Sequence, residues 1–170
     1  SIETQGLVIS NNISKGVIIR GYSNISPKHY LYEKIITKKL SSIDFNNIVV
    51  GDTMAKELNL KVGDQIKIAI PKTDKSLLGN IPRFKTLTIE GIFDFGMYEY
   101  DANLVFISLE LSRKLLLFDD DTYNRLEFYL NDPLKVNNFK EIIDLKIKNN
   151  DLNLYSLSWM DRNSSLMNAL

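Results

Sequence analysis

The chain has no cysteine among its 170 residues, which excludes a disulfide framework and a thiolate metal centre. It has one histidine, His29, so a His-based triad or a His-rich metal site has almost nothing to work with. No sign of charge dominates: 21 basic and 21 acidic residues cancel to a formal net of zero. Nucleic-acid binders normally carry a basic excess, so that class is disfavoured. No run of eighteen apolar residues occurs, and no segment reads as a membrane span. No secretory leader is legible at the start, and no stretch is repetitive enough to read as low-complexity. The lack of cysteine does not by itself fix the compartment.

What is present is a hydrophobic fraction of 44%, enough for a real core. The length fits one domain or two small lobes. The most informative stretch is 71–82, P-K-T-D-K-S-L-L-G-N-I-P. Before it, Ile66, Ile68 and Ile70 alternate with polar or small residues; after it, Phe84, Leu87 and Ile89 sit in a second alternating run. Period-two alternation on both sides predicts two half-buried strands joined as a hairpin. A connection of about twelve residues is long for a hairpin, and loops of that length are often functional. Pro71 and Pro82 bracket it, since proline lacks the N–H that strand pairing needs. The tip carries Leu77, Leu78 and Ile81 around Gly79 and Asn80. Such side chains either anchor a partner or fold back onto their own domain.

In chain order, residues 6–9 and 16–22 read as strands with Asn11 and Asn12 at the turn. Ser26 and Pro27 predict a helix start, with Tyr30, Leu31, Ile35, Ile36 and Leu40 at helical spacing. His29 falls in its first turn, where a solvated surface role is expected. Residues 47–51 read as a buried strand, and Asp52 or Thr53 as the cap of a helix over 54–58. Leu60, Val62, Gly63, Asp64 and Ile66 form an L-x-V-G-D-x-I phrase, with the glycine placed for a tight turn. Residues 104–107 read as a strand and 109–118 as a helix. Glu99 and Asp101 form a candidate acid–base pair, weighed against a plain polar turn. Asp119, Asp120 and Asp121 lack the alternating ligand spacing of a cation loop and read as solvated. Residues 126–130 and 152–157 read as strands. The helix between them starts at Asp132 and Pro133 and carries Val136, Phe139, Ile142, Ile143 and Ile147 on one face. A last helix is expected from about Ser164. The expected fold is therefore α+β in two lobes: a mixed α/β lobe from both chain ends (1–45 and 122–170, with a βαβ-type or split unit) and an inserted, mainly β lobe (46–121) with a protruding hairpin. The opening at Ser1 and the close at Leu170 read as a piece of a longer protein.

Taken together, Val62-Gly63-Asp64, Pro71, Gly79-Asn80-Ile81-Pro82-Arg83, Gly91-Ile92-Phe93 and Gly96-Met97-Tyr98-Glu99-Tyr100-Asp101 resemble the periplasmic domain of lipoprotein-releasing ABC transporter permeases of the LolC, LolE or hybrid LolF type. Ser158-Trp159-Met160-Asp161-Arg162-Asn163 and Leu166 extend the match. No single motif is specific; the ordered set is. The resemblance implies a MacB-like extracytoplasmic fold lying between two membrane helices of an inner-membrane permease. It implies no enzymatic activity in this chain, no cofactor and no metal, with ATP hydrolysis in a separate cytoplasmic subunit. Its partners would be a second permease copy, lipoprotein substrates and a periplasmic carrier of the LolA type, hooked by the hairpin. The positions that match the hook and its flanking pad are Pro71, Leu77, Leu78, Gly79, Asn80, Ile81, Pro82, Lys67, Arg83, Phe84 and Lys85, with Phe84 standing where some members have a polar residue. The G-x-I-P phrase, Gly79 to Pro82, fits the carrier-binding branch better than the LolE branch. Two competing readings remain: a mechanotransmission domain of a MacB- or FtsX-like permease without carrier docking, and a carboxylate-dependent hydrolase using Glu99 and Asp101.

Overall fold

The computed structural model describes residues 1–25, 29–71 and 82–162. Two strands open the chain, β1 (Ile2–Ser10) and β2 (Ile13–Tyr22), paired antiparallel from Ile2 opposite Gly21 to Ser10 opposite Ile13. The two-residue link is Asn11 and Asn12, both left-handed with φ of 48° and 63°. Asparagine tolerates that region better than most residues, and two such residues match the twist of a hairpin. Four further strands follow: β3 (Asn47–Gly51), β4 (Gln65–Ile70), β5 (Arg83–Phe93) and β6 (Leu104–Ser108). They close into a barrel in the order β1-β2-β6-β3-β5-β4. β2 with β6 and β3 with β5 run parallel; the other pairs are antiparallel. Closure removes free sheet edges.

The barrel interior is filled by alternate residues of every strand, among them Val8, Ile19, Val50, Ile68, Leu87 and Val105. Helix α4 (Leu109–Leu116) adds Leu111 and Leu115 to the same core. Its start is set by Ser108, whose hydroxyl accepts the Leu111 N–H at 3.2 Å. It stops at Leu117, which is left-handed at φ 55°. β3 is buried along almost its whole length, which its unbroken Ile48-Val49-Val50 run requires. Its outward residue Val49 joins a second core with Leu31, Ile35, Phe93 and Phe106.

Three local expectations change. The helix expected from Ser26 is α1 (Tyr30–Lys34) only, since Ile35 bridges to Phe93 and the Ile36 N–H bonds the Ile92 carbonyl at 2.9 Å. The C-terminal end of β5, beyond its pairing with β4, outcompetes another helical turn, and Leu31, Ile35 and Leu40 are buried regardless. Ser26 and Pro27 themselves lie outside the described residues. Next, α2 (Asp52–Glu57) starts two residues early, after Gly51 and without a side-chain cap; Asp52 instead pairs with Lys56 at 2.5 Å. Gly51 packs so tightly that a Cβ there would sit 2.1 Å from the Asp101 carbonyl oxygen. A third short helix, α3 (Tyr98–Asn103), replaces the polar turn expected before β6.

The chain divides into two compact units, Ser1–Leu126 and Glu127–Leu170. Residues 1–45, grouped with 122–170 on sequence, supply two barrel strands: β1 bonds to β4 and β2 to β6. In the second unit Asp132 accepts the Leu134 N–H at 3.1 Å and starts a short 3-10 turn, Pro133–Lys135. Helix α5 (Val136–Asn149) continues from it, and α6 (Trp159–Arg162) follows. Val136, Phe139, Ile143 and Ile147 form a half-buried stripe, but Ile142 is exposed. The strands expected over 126–130 and 152–157 are not strands, and no βαβ unit forms among the described residues. An alternating pattern becomes a strand only when another backbone accepts its hydrogen bonds. The helix expected from Ser164 lies outside the described residues.

Candidate partner-binding site

The hairpin stem is β4 and β5, in register from Gln65 opposite Thr88 to Ile70 opposite Arg83. The ladder ends there, so the connection is 71–82, bounded by two exposed prolines. Leu77, Leu78, Gly79, Asn80 and Ile81 lie outside the described residues. The alternating isoleucines of β4 point inward, and the L-x-V-G-D-x-I phrase delivers them. Gly63 takes φ 97°, and Asp64 accepts the Lys61 N–H at 2.8 Å, closing the turn before the strand.

The pleat divides the remaining pad residues between two faces. Successive side chains of a strand point to opposite sides. Lys67, between inward Ile66 and Ile68, faces outward opposite Thr86; Phe84, opposite Ala69, shares that face and is 53% exposed. Arg83 and Lys85 share the parity of inward Leu87 and Ile89 and are half-buried at the mouth of the barrel. Arg83 Nη1 donates to the Leu115 carbonyl oxygen at 2.5 Å, tying the stem to the end of α4. The Lys85 ammonium lies 5.0 Å from the centre of the Phe45 ring, and the Lys114 ammonium 5.3 Å from the same ring. A cation this close to an aromatic ring is held by the ring's quadrupole. With Phe84 and Leu115 these residues line a shallow groove of about 370 Å³. A second hollow of about 490 Å³ includes Pro71 together with Leu7 and Ile18. Phe45 and Lys114 carry no motif; parallel pairing of β3 with β5, and the return of α4, bring them to the stem.

The other sequence candidates have structural roles. Asp101 is buried, and its two carboxylate oxygens accept the N–H groups of Phe95 at 2.8 Å and Met97 at 3.1 Å. Glu99 is exposed, so the two acids do not form a general acid–base pair. His29 is not a solvated surface residue: Nδ1 accepts the Leu31 N–H at 3.2 Å as the cap of α1, and its ring meets Tyr22 and Tyr30 at 4.5 and 4.6 Å. Asp119, Asp120 and Asp121 are exposed loop residues. Among the described residues no three histidine or carboxylate side chains converge as a metal site. No described helix is long and apolar enough to cross a membrane.

No family model matches the chain. Curated relatives do. A lipoprotein-releasing system transmembrane protein LolC of Xylella fastidiosa is 29% identical over 124 residues, covering 73% of this chain and 29% of its own length. LolC of Buchnera aphidicola from Schizaphis graminum is 27% identical over 175 residues, covering 95% of this chain and 42% of that protein. LolC of Neisseria meningitidis is 29% identical over 87 residues, covering 51% of this chain and 21% of its own. The chain therefore spans less than half the length of these relatives.

Proposed function

We propose that the chain, by its likeness to the LolC proteins, is a LolC-type domain of a lipoprotein-releasing permease, that it stands on the periplasmic side of the inner membrane, and that it recruits a LolA-type lipoprotein carrier through the 71–82 hairpin. The observation that carries this reading is where the β4–β5 ladder stops. Ile70 and Arg83 are directly paired, and Pro71 and Pro82, which lack the N–H that ladder pairing needs, stand immediately beyond them. Leu77, Leu78 and Ile81 are the anchors. Burying each in an apolar carrier cavity contributes roughly 1.5 to 3 kcal/mol. Phe84 supplies apolar contact beside the stem, and Lys67, Arg83 and Lys85 supply cations that speed encounter with an acidic carrier face. The domain performs no chemistry of its own. A cytoplasmic ATPase drives release, and a second permease copy completes the transporter. The test is a calorimetric titration of Leu78→Asp and Ile81→Asp variants against the matching carrier, with circular dichroism as the folding control. Each variant is expected to bind about ten- to a hundredfold more weakly with an unchanged spectrum. Unchanged affinity removes the hairpin from the interface.

A further inference from the structure

The groove at the base of the hairpin stem holds three cations and no acid. Arg83, Lys85 and Lys114 line it with Phe45, Phe84 and Leu115, and none of its lining residues is a carboxylate. In a chain whose charges balance, that is a local excess. Lys56 and Lys140 each meet an aspartate. Among the described residues, no carboxylate pairs with Arg83, Lys85 or Lys114. The three are also held in place. Arg83 is tied to the Leu115 carbonyl oxygen at 2.5 Å. The Lys85 and Lys114 ammoniums sit 5.0 and 5.3 Å from the centre of one ring, that of Phe45. Phe45 in turn packs on the barrel core. Like charges gathered in this way repel one another, and an anion placed among them relieves the repulsion.

We infer that this groove seats one carboxylate side chain of the lipoprotein carrier, and that Lys114 on α4 and Phe45 belong to the carrier-binding surface as specificity-determining residues. The inference rests on the carrier reading and adds to it two residues outside the hairpin and its strands. Charge names the occupant's chemistry: two ammoniums and a guanidinium select an acid. Position names its source. Arg83 and Phe84 follow Pro82 directly, so a protein engaged by the 71–82 connection meets this groove at its base. The groove is shallow and walled by Phe45, Phe84 and Leu115, which suits a carboxylate presented beside apolar residues on a docked surface. Because the Phe45 ring already places Lys85 and Lys114, less ordering is left for binding.

The test titrates the LolA-type carrier by calorimetry into Lys114→Glu and Lys114→Arg variants at low and high salt. Lys38→Glu is the matched charge change and Leu78→Asp the hairpin control, with circular dichroism to check folding. Lys38 is exposed and follows Thr37, which bonds the Ile92 N–H at the far end of β5 from Arg83. Lys114→Glu is expected to bind about tenfold more weakly with a flatter salt dependence, while Lys114→Arg and Lys38→Glu stay within about twofold of the wild type. In the wild-type complex a carbodiimide should join the Lys114 or Lys85 ammonium to a carrier carboxylate, with loss of water, as read by mass spectrometry. Unchanged affinity for Lys114→Glu, with binding weakened by Leu78→Asp, overturns this inference and leaves the hairpin standing. Equal weakening by Lys38→Glu reduces the effect to long-range steering and also overturns it. If Leu78→Asp binds as the wild type does, the carrier reading falls and this inference falls with it. A Lys114→Glu variant that loses binding to phosphatidylglycerol vesicles, with carrier affinity unchanged, makes a lipid phosphate the occupant and overturns the inference as well.

Discussion

Replacing Glu3 with alanine is expected to cost more stability than a typical surface ion pair is worth. Glu3 sits on β1 and accepts Arg20 Nε at 2.6 Å, and the same oxygen also receives Arg125. The Arg20 side chain is only 8% exposed, and its Nη1 donates to the Tyr30 hydroxyl at 3.1 Å. Burial works against the Arg20 charge, but Tyr30 and Glu3 outweigh it and raise its pKa above the ordinary arginine value. Removing Glu3 leaves a buried guanidinium with no carboxylate. Breaking such a pair costs about 3 to 5 kcal/mol, and the 25% exposure of Glu3 places this one near the lower end. For a chain of this size each kcal/mol is worth about 2 to 4 °C, so the melting temperature should fall by about 6 to 12 °C. Thermal melting followed by circular dichroism reads this directly. The double variant Glu3→Ala, Arg20→Met should recover part of the loss, since an apolar replacement removes the stranded charge. A fall of less than about 2 °C for Glu3→Ala refutes the reasoning.

Gly51→Ala should destabilise the domain by about 1 to 3 kcal/mol in urea denaturation, because its Cβ would lie 2.1 Å from the Asp101 carbonyl oxygen and the backbone must move. Asp161 is held down to a pKa of about 2 by the Lys140 ammonium and by the Ser158 N–H and hydroxyl. Because its folded pKa lies below the unfolded one, its contribution to the order of α6 is full above about pH 4 and lost as pH falls through about 2. Carboxyl-detected NMR titration should place the Asp161 midpoint near 2, and Lys140→Ala should raise it.

Much of the barrel was legible because its signals are local. The isoleucines of β4, the Asn11–Asn12 turn and the Ile48–Val50 run each specify a strand or turn within a few residues. Closure was not legible, since it depends on β1 meeting β4 across sixty residues of chain. The length of α1 was misread because β5 offers Ile35 and Ile36 a better hydrogen-bonding partner than another helical turn does. Residues 126–130 and 152–157 show the converse: their apolar residues alternate, yet neither stretch is a strand or joins a ladder among the described residues. At the site, the stem boundaries could be read from Pro71 and Pro82, whereas Phe45 and Lys114 reach Lys85 only through tertiary packing. Asp101 is ambiguous in sequence, either an acid–base partner of Glu99 or part of a polar turn; burial and two N–H donors decide for a structural role.

Because Ile70 and Arg83 already face each other in the ladder, residues 71–82 can be replaced by Asn-Gly, which forms the two-residue turn such a pair accepts. Titrating that variant against the carrier, beside the wild-type domain, isolates the hairpin from everything else. An unchanged melting temperature with carrier binding abolished is the predicted result; a folded variant that binds as tightly as the wild type contradicts it.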